Sequence, residues 1–303
     1  MFDLSEFLFE ISSLFFSTGI IMVSLLKHCK KEQVTITIKP YRMKKKIFIT
    51  GAGSGFAKTA ALGLAQKGHN VIATAETGPQ VQALRQEAKE KGISLEVQKL
   101  DLLNSIDRKK ALEYDIDILL NIAGICEAGP LAEQPLDLIR RMFDVNVFYN
   151  LELTQGFIRR MVEKKEGKIL FMSSMSGLVA FPLAGAYCAT KHAIEAIAEA
   201  LKEELAPFGI KVATINPGPF KTGFNESGID SIYQWYNPQK NFTPEKAIKE
   251  LEASLAKQFD PEDILDIIIK LVESENHTFR NIWPAKLKTE VEKKQQEAWN
   301  NMS

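Results

Sequence analysis

Cysteine is scarce in this chain: three in 303 residues, at 29, 126 and 188, with no Cys-x-x-Cys pair and no metal-ligand spacing to the four scattered histidines. Such usage argues against a disulfide scaffold or a structural zinc site, and no metal is expected; it suits a reducing compartment. Neither sign of charge is in excess. Thirty-eight basic side chains meet 38 acidic ones, so no bulk field draws the chain to nucleic acid, and none is expected as a partner. Repeats and low-complexity tracts are missing too. Long apolar runs are rare, and one stands out: residues 7–26, FLFEISSLFFSTGIIMVSLL, carry only Glu10 as a charge and are followed by KHCKK. Its uncharged core, Ile11 to Leu26, has sixteen residues, short of the roughly 20 that span a bilayer. Acidic residues precede the run and no small-residue cleavage site follows, unlike a secretory signal. The trailing positive charges would leave an inserted chain with its remainder in the cytoplasm. Two readings of residues 1–42 stand: a leader that associates with a membrane, or an extension ahead of a natural start at MKKKIFIT (43–50).

From residue 46 the pattern is a regular alternation. Apolar, β-branched runs suited to buried strands occur at 46–50, 70–74, 95–100, 117–124, 168–174 and 211–217. Helical periodicity fills 56–67, 79–91, 104–113, 136–163 and 186–206. Strands joined by helix-length connections predict an α/β fold, a doubly wound parallel sheet of Rossmann type with helices on both faces. The expected organisation is one oxidoreductase-sized domain over 43–284, a lid at about 218–260, and a tail over 285–303. Ligands of such sheets bind at the carboxyl ends of the strands, and every motif below falls on one of those ends.

The first strand runs into ITGAGSGFAKT (49–59). Glycines at 51, 53 and 55 let backbone N–H groups approach a phosphate at a helix start. A P-loop would need glycine at 52 and 57, and both are alanine. Farther on, Tyr and Lys stand four apart in three places: Tyr41/Lys45, Tyr187/Lys191 and Tyr236/Lys240. Spacing alone does not choose among them. Tyr41 precedes the first strand, and Tyr236 is followed by Asn-Pro, which disfavours helix. Tyr187 opens a long helix thirteen residues after Ser174, a serine at a strand end.

Taken together, these motifs resemble the short-chain dehydrogenase/reductase family in its common roughly 250-residue form. Thr50-Gly51-x-x-x-Gly55-x-Ala57 resembles its nucleotide turn, in which Gly53, Ser54 and Phe56 also lie. Asp101, with Leu102 beside it, sits where the family holds the adenine ring. Asn121-Ile122-Ala123-Gly124 resembles its Asn-Asn-Ala-Gly strand end, and Asn216-Pro217-Gly218, with Phe220 and Thr222, resembles the segment that closes over the nicotinamide. Ala57 and Ile122 depart from the family pattern at positions that affect packing around the cofactor. The resemblance implies a catalytic set of Asn146, Ser174, Tyr187 and Lys191, and a homodimer or homotetramer assembled through 136–163 and 186–206.

A hydride leaving an alcohol carbon needs a base for the hydroxyl proton, and the reverse reaction needs an acid. Tyr187 is the expected acid/base, with Lys191 lending a positive charge that favours phenolate. Ser174 orients the substrate oxygen, and by resemblance Asn146 holds a water that carries the proton onward. Cofactor choice rests on Glu76, at the end of the second strand. An acid suits the free ribose diol of NAD, whereas the 2′-phosphate of NADP needs a cation; NAD is expected over NADP. Phe220, Phe224, Tyr233, Trp235, Tyr236 and Phe242 crowd the lid segment, which suggests an apolar small-molecule substrate or a lid with its own small core. The alternative to an alcohol/carbonyl oxidoreductase is a nucleotide-sensing regulator that kept the fold without catalysis. The expected location is cytoplasmic, with membrane association if residues 7–26 act as an anchor.

Overall fold

The computed structural model describes residues 44–300. The leader reading of residues 1–42 lies outside the described residues. Seven strands form one sheet: β1 (Lys46–Ile49), β2 (Asn70–Ala75), β3 (Glu96–Lys99), β4 (Ile118–Asn121), β5 (Gly167–Met172), β6 (Ile210–Pro217) and β7 (Arg280–Trp283). Their order is β3-β2-β1-β4-β5-β6-β7, and every pairing is parallel. Parallel strands buried on both faces need continuous apolar runs, and Ile47, Phe48, Ile49, Leu119 and Leu120 are all fully inaccessible. The order reverses between β1 and β4, which opens a crevice at their carboxyl ends. The doubly wound sheet is thus the observed fold.

Helices cover both faces: α1 (Gly55–Gln66), α2 (Gly78–Glu90), α3 (Ser105–Ala111), α4 (Leu136–Phe143), α5 (Tyr149–Lys164), α6 (Gly185–Leu205), α7 (Phe224–Ile232), α8 (Glu245–Ser254), α9 (Leu265–Glu273) and α10 (Leu287–Asn300). Alanines 57, 60, 61 and 65 on α1 are buried, so its backbone lies close to the sheet. At Gly63 the helix meets α9 so closely that an added Cβ would sit 2.7 Å from Leu265 Cδ1. One core layer contains Ile47, Ile49, Leu64 and Ile268, and the other contains Phe48, Leu119, Phe157 and Ile169.

Three features differ from the sequence reading. The helix expected over 136–163 is interrupted by a π-helical turn at Asp144–Phe148. An edge strand, β7, completes the sheet; only partly buried, RNIW carries no apolar run to betray it. The tail over 285–303 contains α10, whose Val291 packs with Met175 and Val179. The lid segment is tied at its base, where Lys221 N–H donates to the Phe259 carbonyl and Phe259 N–H to that of Pro219, both at 2.9 Å.

Candidate active site

The crevice begins at the glycine turn. Gly51 has φ +78°, and a Cβ there would lie 2.8 Å from the Ala123 Cα, so only glycine lets β1 and β4 end this close together. Ser54 gives α1 no side-chain cap and the first turn carries no acid. The start of this helix therefore offers backbone N–H groups and the positive end of the helix dipole, the donor set a dinucleotide phosphate requires. Gly55, at φ +54°, leaves room for Thr222: an added Cβ would sit 3.3 Å from the Thr222 Cβ. The closing segment after Pro217 and Gly218 thus lies directly over the turn. Glu76 is exposed beyond β2. Asp101 accepts from Leu103 N–H at 2.9 Å, and buried Leu102 is held by Arg108 through its carbonyl at 2.5 Å.

Two residues expected at the cofactor turn their side chains elsewhere. Asn121 donates to Thr154 Oγ1 of α5 at 2.8 Å, so its side chain braces helix against strand. Phe220 is 2% exposed and packs between Phe56 and Phe259, at ring-centroid distances of 5.2 and 5.4 Å. Its side chain belongs to the core.

The four residues of the expected catalytic set come together at the ends of β4 and β5. Ser174 leaves β5 in extended conformation, accepts from Ser176 N–H at 3.0 Å, and lies in hydrogen-bonding reach of the Tyr187 phenol. One turn along α6, Lys191 Nζ stands 5.7 Å from the Tyr187 ring centroid and donates to the Met172 carbonyl at 2.8 Å. Asn146 sits in the π turn, where the regular helical ladder is broken. Its Oδ1 accepts from Ile125 N–H at 2.8 Å, and its Nδ2 donates to the Ile125 carbonyl at 2.8 Å and to Thr190 Oγ1 at 3.1 Å. Gly124 joins the set: a Cβ there would meet Asn146 Oδ1 at 3.0 Å and Lys191 Nζ at 3.7 Å. Burial sets the electrostatics. It pushes the Tyr187 phenol well above its ordinary value, against the Ser174 hydrogen bond, and pushes Lys191 down to about 8, against Cys126 and Glu195.

A family model for the short chain dehydrogenase matches residues 45–231, which contain the turn, the β4 end and the whole catalytic set. The chain belongs to the short-chain dehydrogenase/reductase family. Among the relatives of this short-chain dehydrogenase/reductase, an uncharacterized oxidoreductase of Bacillus subtilis is 31% identical over 251 residues, covering 77% of this chain and 87% of its own. A 3-ketodihydrosphingosine reductase of Bacteroides thetaiotaomicron is 30% identical over 240 residues, covering 77% and 86%. A solved short-chain dehydrogenase from Streptomyces avermitilis superposes with a TM-score of 0.70 at 25% identity, over 85% of this chain and 93% of that one. The protein is accordingly an oxidoreductase of the nucleotide-binding Rossmann type.

In this short-chain dehydrogenase/reductase the segment expected to be a lid places residues beside Tyr187 that the motifs did not announce. Phe224, at the start of α7, meets the Tyr187 ring at 5.8 Å. Gly228, one turn on, lies against Cys126: an added Cβ would be 2.8 Å from Sγ. Ala128 N–H donates to the Gly228 carbonyl at 3.0 Å, so α7 is docked beside Tyr187. The other lid aromatics have different duties. Trp235 and Tyr236 join Ala128, Ile232 and Ile248 in a small core of the lid, and Tyr233 and Phe242 are exposed.

Proposed function

We propose that this enzyme interconverts an alcohol and a ketone or aldehyde on an apolar substrate, with Tyr187 as the acid/base. The observation that carries the reading is a chain of neighbours: Asn146 and Lys191 meet beside Gly124, Lys191 lies against the Tyr187 ring, and Tyr187 has Ser174 and Phe224 beside it. The dinucleotide, when bound on the glycine turn, supplies the hydride chemistry. Ser174 hydrogen-bonds the substrate oxygen and turns it toward the Tyr187 hydroxyl. In the reducing direction that hydroxyl gives its proton to the carbonyl oxygen; in the oxidising direction the phenolate takes it back. Lys191 stabilises the phenolate by its charge, and Asn146, anchored on Ile125 and Thr190, holds the water that replaces the proton.

An apolar substrate is supported by Phe224 against the Tyr187 ring and by the partly buried Leu178 and Phe181 in the turn after Ser174. The ketone reductase among the relatives agrees with that class. NAD is proposed over NADP on the acid at Glu76, the residue beyond β2. Assembly as a homodimer or homotetramer is part of the proposal, because Leu136 and Phe148 lie exposed on the α4–α5 segment. The nucleotide-sensor alternative gains no support from a complete catalytic set, which a sensor has no reason to keep.

The test is Tyr187→Phe, assayed with NADH and NADPH against a panel of apolar ketones and with NAD+ and NADP+ against the matching alcohols. Turnover should fall by about 100-fold or more, as expected for loss of a general acid, while dinucleotide affinity stays unchanged. Turnover within about threefold of the parent would remove Tyr187 from this role.

A further inference from the structure

Glu195 is a carboxylate the mechanism above does not use, yet it is 4% exposed in the middle of the site's framework. It follows Lys191 by four residues on α6, as Lys191 follows Tyr187, so all three share one helix face. Both oxygens are engaged. Oε1 accepts from Asn216 Nδ2 at 2.6 Å, and Oε2 accepts from Arg280 Nε of the edge strand β7 at 2.9 Å. Arg280 reaches on to Glu199 Oε2 at 2.7 Å.

The inner arm of this chain leads to Ser174. The Asn216 amide donates to the Ser174 carbonyl at 3.3 Å, and its Oδ1 accepts from Thr214 Oγ1 at 3.0 Å. Asn216 itself is wholly buried at the end of β6. The turn after Ser174 is pressed onto the same helix: a Cβ on Gly177 would lie 2.9 Å from the Lys191 carbonyl and 3.1 Å from Glu195 Cγ. The serine turn, the tyrosine–lysine helix and the last two strands therefore meet at one carboxylate.

We propose that Glu195 is a positioning residue for the reaction, holding Ser174 in register with Tyr187 and Lys191 through Asn216 on one side and Arg280 on the other. The inference rests on the reading of Tyr187 as the acid/base. A carboxylate that only bridged strands would be expected nearer the surface, at the amino ends of the sheet, or paired away from the catalytic helix face. This one bonds the residue that bonds Ser174. Its charge also acts on Lys191 and favours the ammonium. The titratable and charged groups around the pair are Tyr187, Cys126 and Lys191 on the inner side, with Arg280 and its partner Glu199 on the outer.

The test uses the full chain and compares Glu195→Gln, Arg280→Gln and Tyr187→Phe, with rates normalised to dinucleotide-binding sites. Glu195→Gln keeps the shape but removes the charge. Its kcat should fall about tenfold, the scale of a small misplacement at a reacting centre, with dinucleotide affinity unchanged. The alkaline limb of its pH–rate profile should move to lower pH, because Lys191 loses a neighbouring negative charge. Arg280→Gln should lower kcat by less, since Asn216 still has its acceptor, and should move the alkaline limb to higher pH, because a positive charge near Lys191 is lost. If Glu195→Gln does not fold, the Arg280→Gln profile decides. A variant that melts earlier but keeps kcat and the pH limb would overturn the proposal, leaving Glu195 as a structural ion pair. Retained turnover in Tyr187→Phe would instead overturn the reading beneath it.

Discussion

Tyr187 and Lys191 pull against each other in this site. Burial disfavours both ionic forms, raising the phenol and lowering the ammonium to about 8. The phenol is thus protonated throughout the neutral range, so under the proposed mechanism carbonyl reduction always finds its acid. Oxidation of an alcohol needs phenolate, which grows with pH. Reduction should therefore be flat from about pH 6 to about pH 8, while oxidation rises by up to about tenfold per pH unit. The oxidation limb should flatten above about 8, where Lys191 loses the charge that favours phenolate. Initial rates in both directions, at saturating dinucleotide, check this; a reduction rate that falls steeply between those values would show the phenolate to be the resting form. The stability sign runs the other way. Between about 8 and the ordinary lysine value of 10.5, the unfolded chain holds the extra proton, so this group's contribution to stability rises with pH across that window. At this scale the sequence shows candidate polar residues wherever one stands at a strand end or opens a helix, as Ser174 and Tyr187 do. It hides Glu195, because an acid four residues after a lysine reads as an exposed helical pair. Phe224 was visible only as one of six lid aromatics, and nothing local tells it from Trp235, which fills the lid's own core.

Elements differ in how much of themselves they write into sequence. Strands β1, β2, β4, β5 and β6 are legible because both faces are covered, which forces apolar runs. Strand β7 lies at the edge, and α10 buries only Val291, so neither carries a period strong enough to read. The π turn is silent because its apolar positions still satisfy the helical pattern on either side. The segment over 218–260 is legible as an aromatic-rich stretch but not as a structure, since what fixes it comes from elsewhere in the chain. Glu133 is the clearest case: its carboxylate accepts from Asn241 Nδ2, Phe242 N–H and Thr243 N–H at 3.0, 2.7 and 3.0 Å. These bonds secure the chain just ahead of α8, and α8 packs on α7 through Ile248 and Ile232. Glu133→Ala should loosen the lid while leaving the glycine turn untouched. Substrate KM should rise several-fold, by about the effect of one or two lost hydrogen bonds, with dinucleotide affinity unchanged. Equal losses in both affinities would mean that Glu133 supports the domain rather than the lid.

The whole molecule raises the question of what residues 1–42 are for. Among the described residues every strand, both main core layers and all four residues of the proposed catalytic set lie after residue 45. The start of the sheet is secured by later residues: Lys45 N–H donates to His69 Nδ1 at 3.3 Å and Lys46 N–H to Asp117 Oδ2 at 2.8 Å. Residues 45–303 group as one compact unit by their own contacts. Among the described residues no helix is long and apolar enough to cross a membrane; the apolar run with lysines behind it lies at 7–26. We propose that the leader decides where the protein sits and not what it does. A chain beginning at Met43 should then fold, melt within a few degrees of the full-length protein, and turn over substrate within about twofold of it, since surface segments away from core and site change stability by only tenths of a kcal/mol. The full-length chain should sediment with membranes and be released by detergent, because a short apolar segment with a basic flank partitions to the bilayer. Failure of the shortened chain to fold would make the leader part of the structure. Recovery of the full-length chain wholly without membranes would remove the anchor.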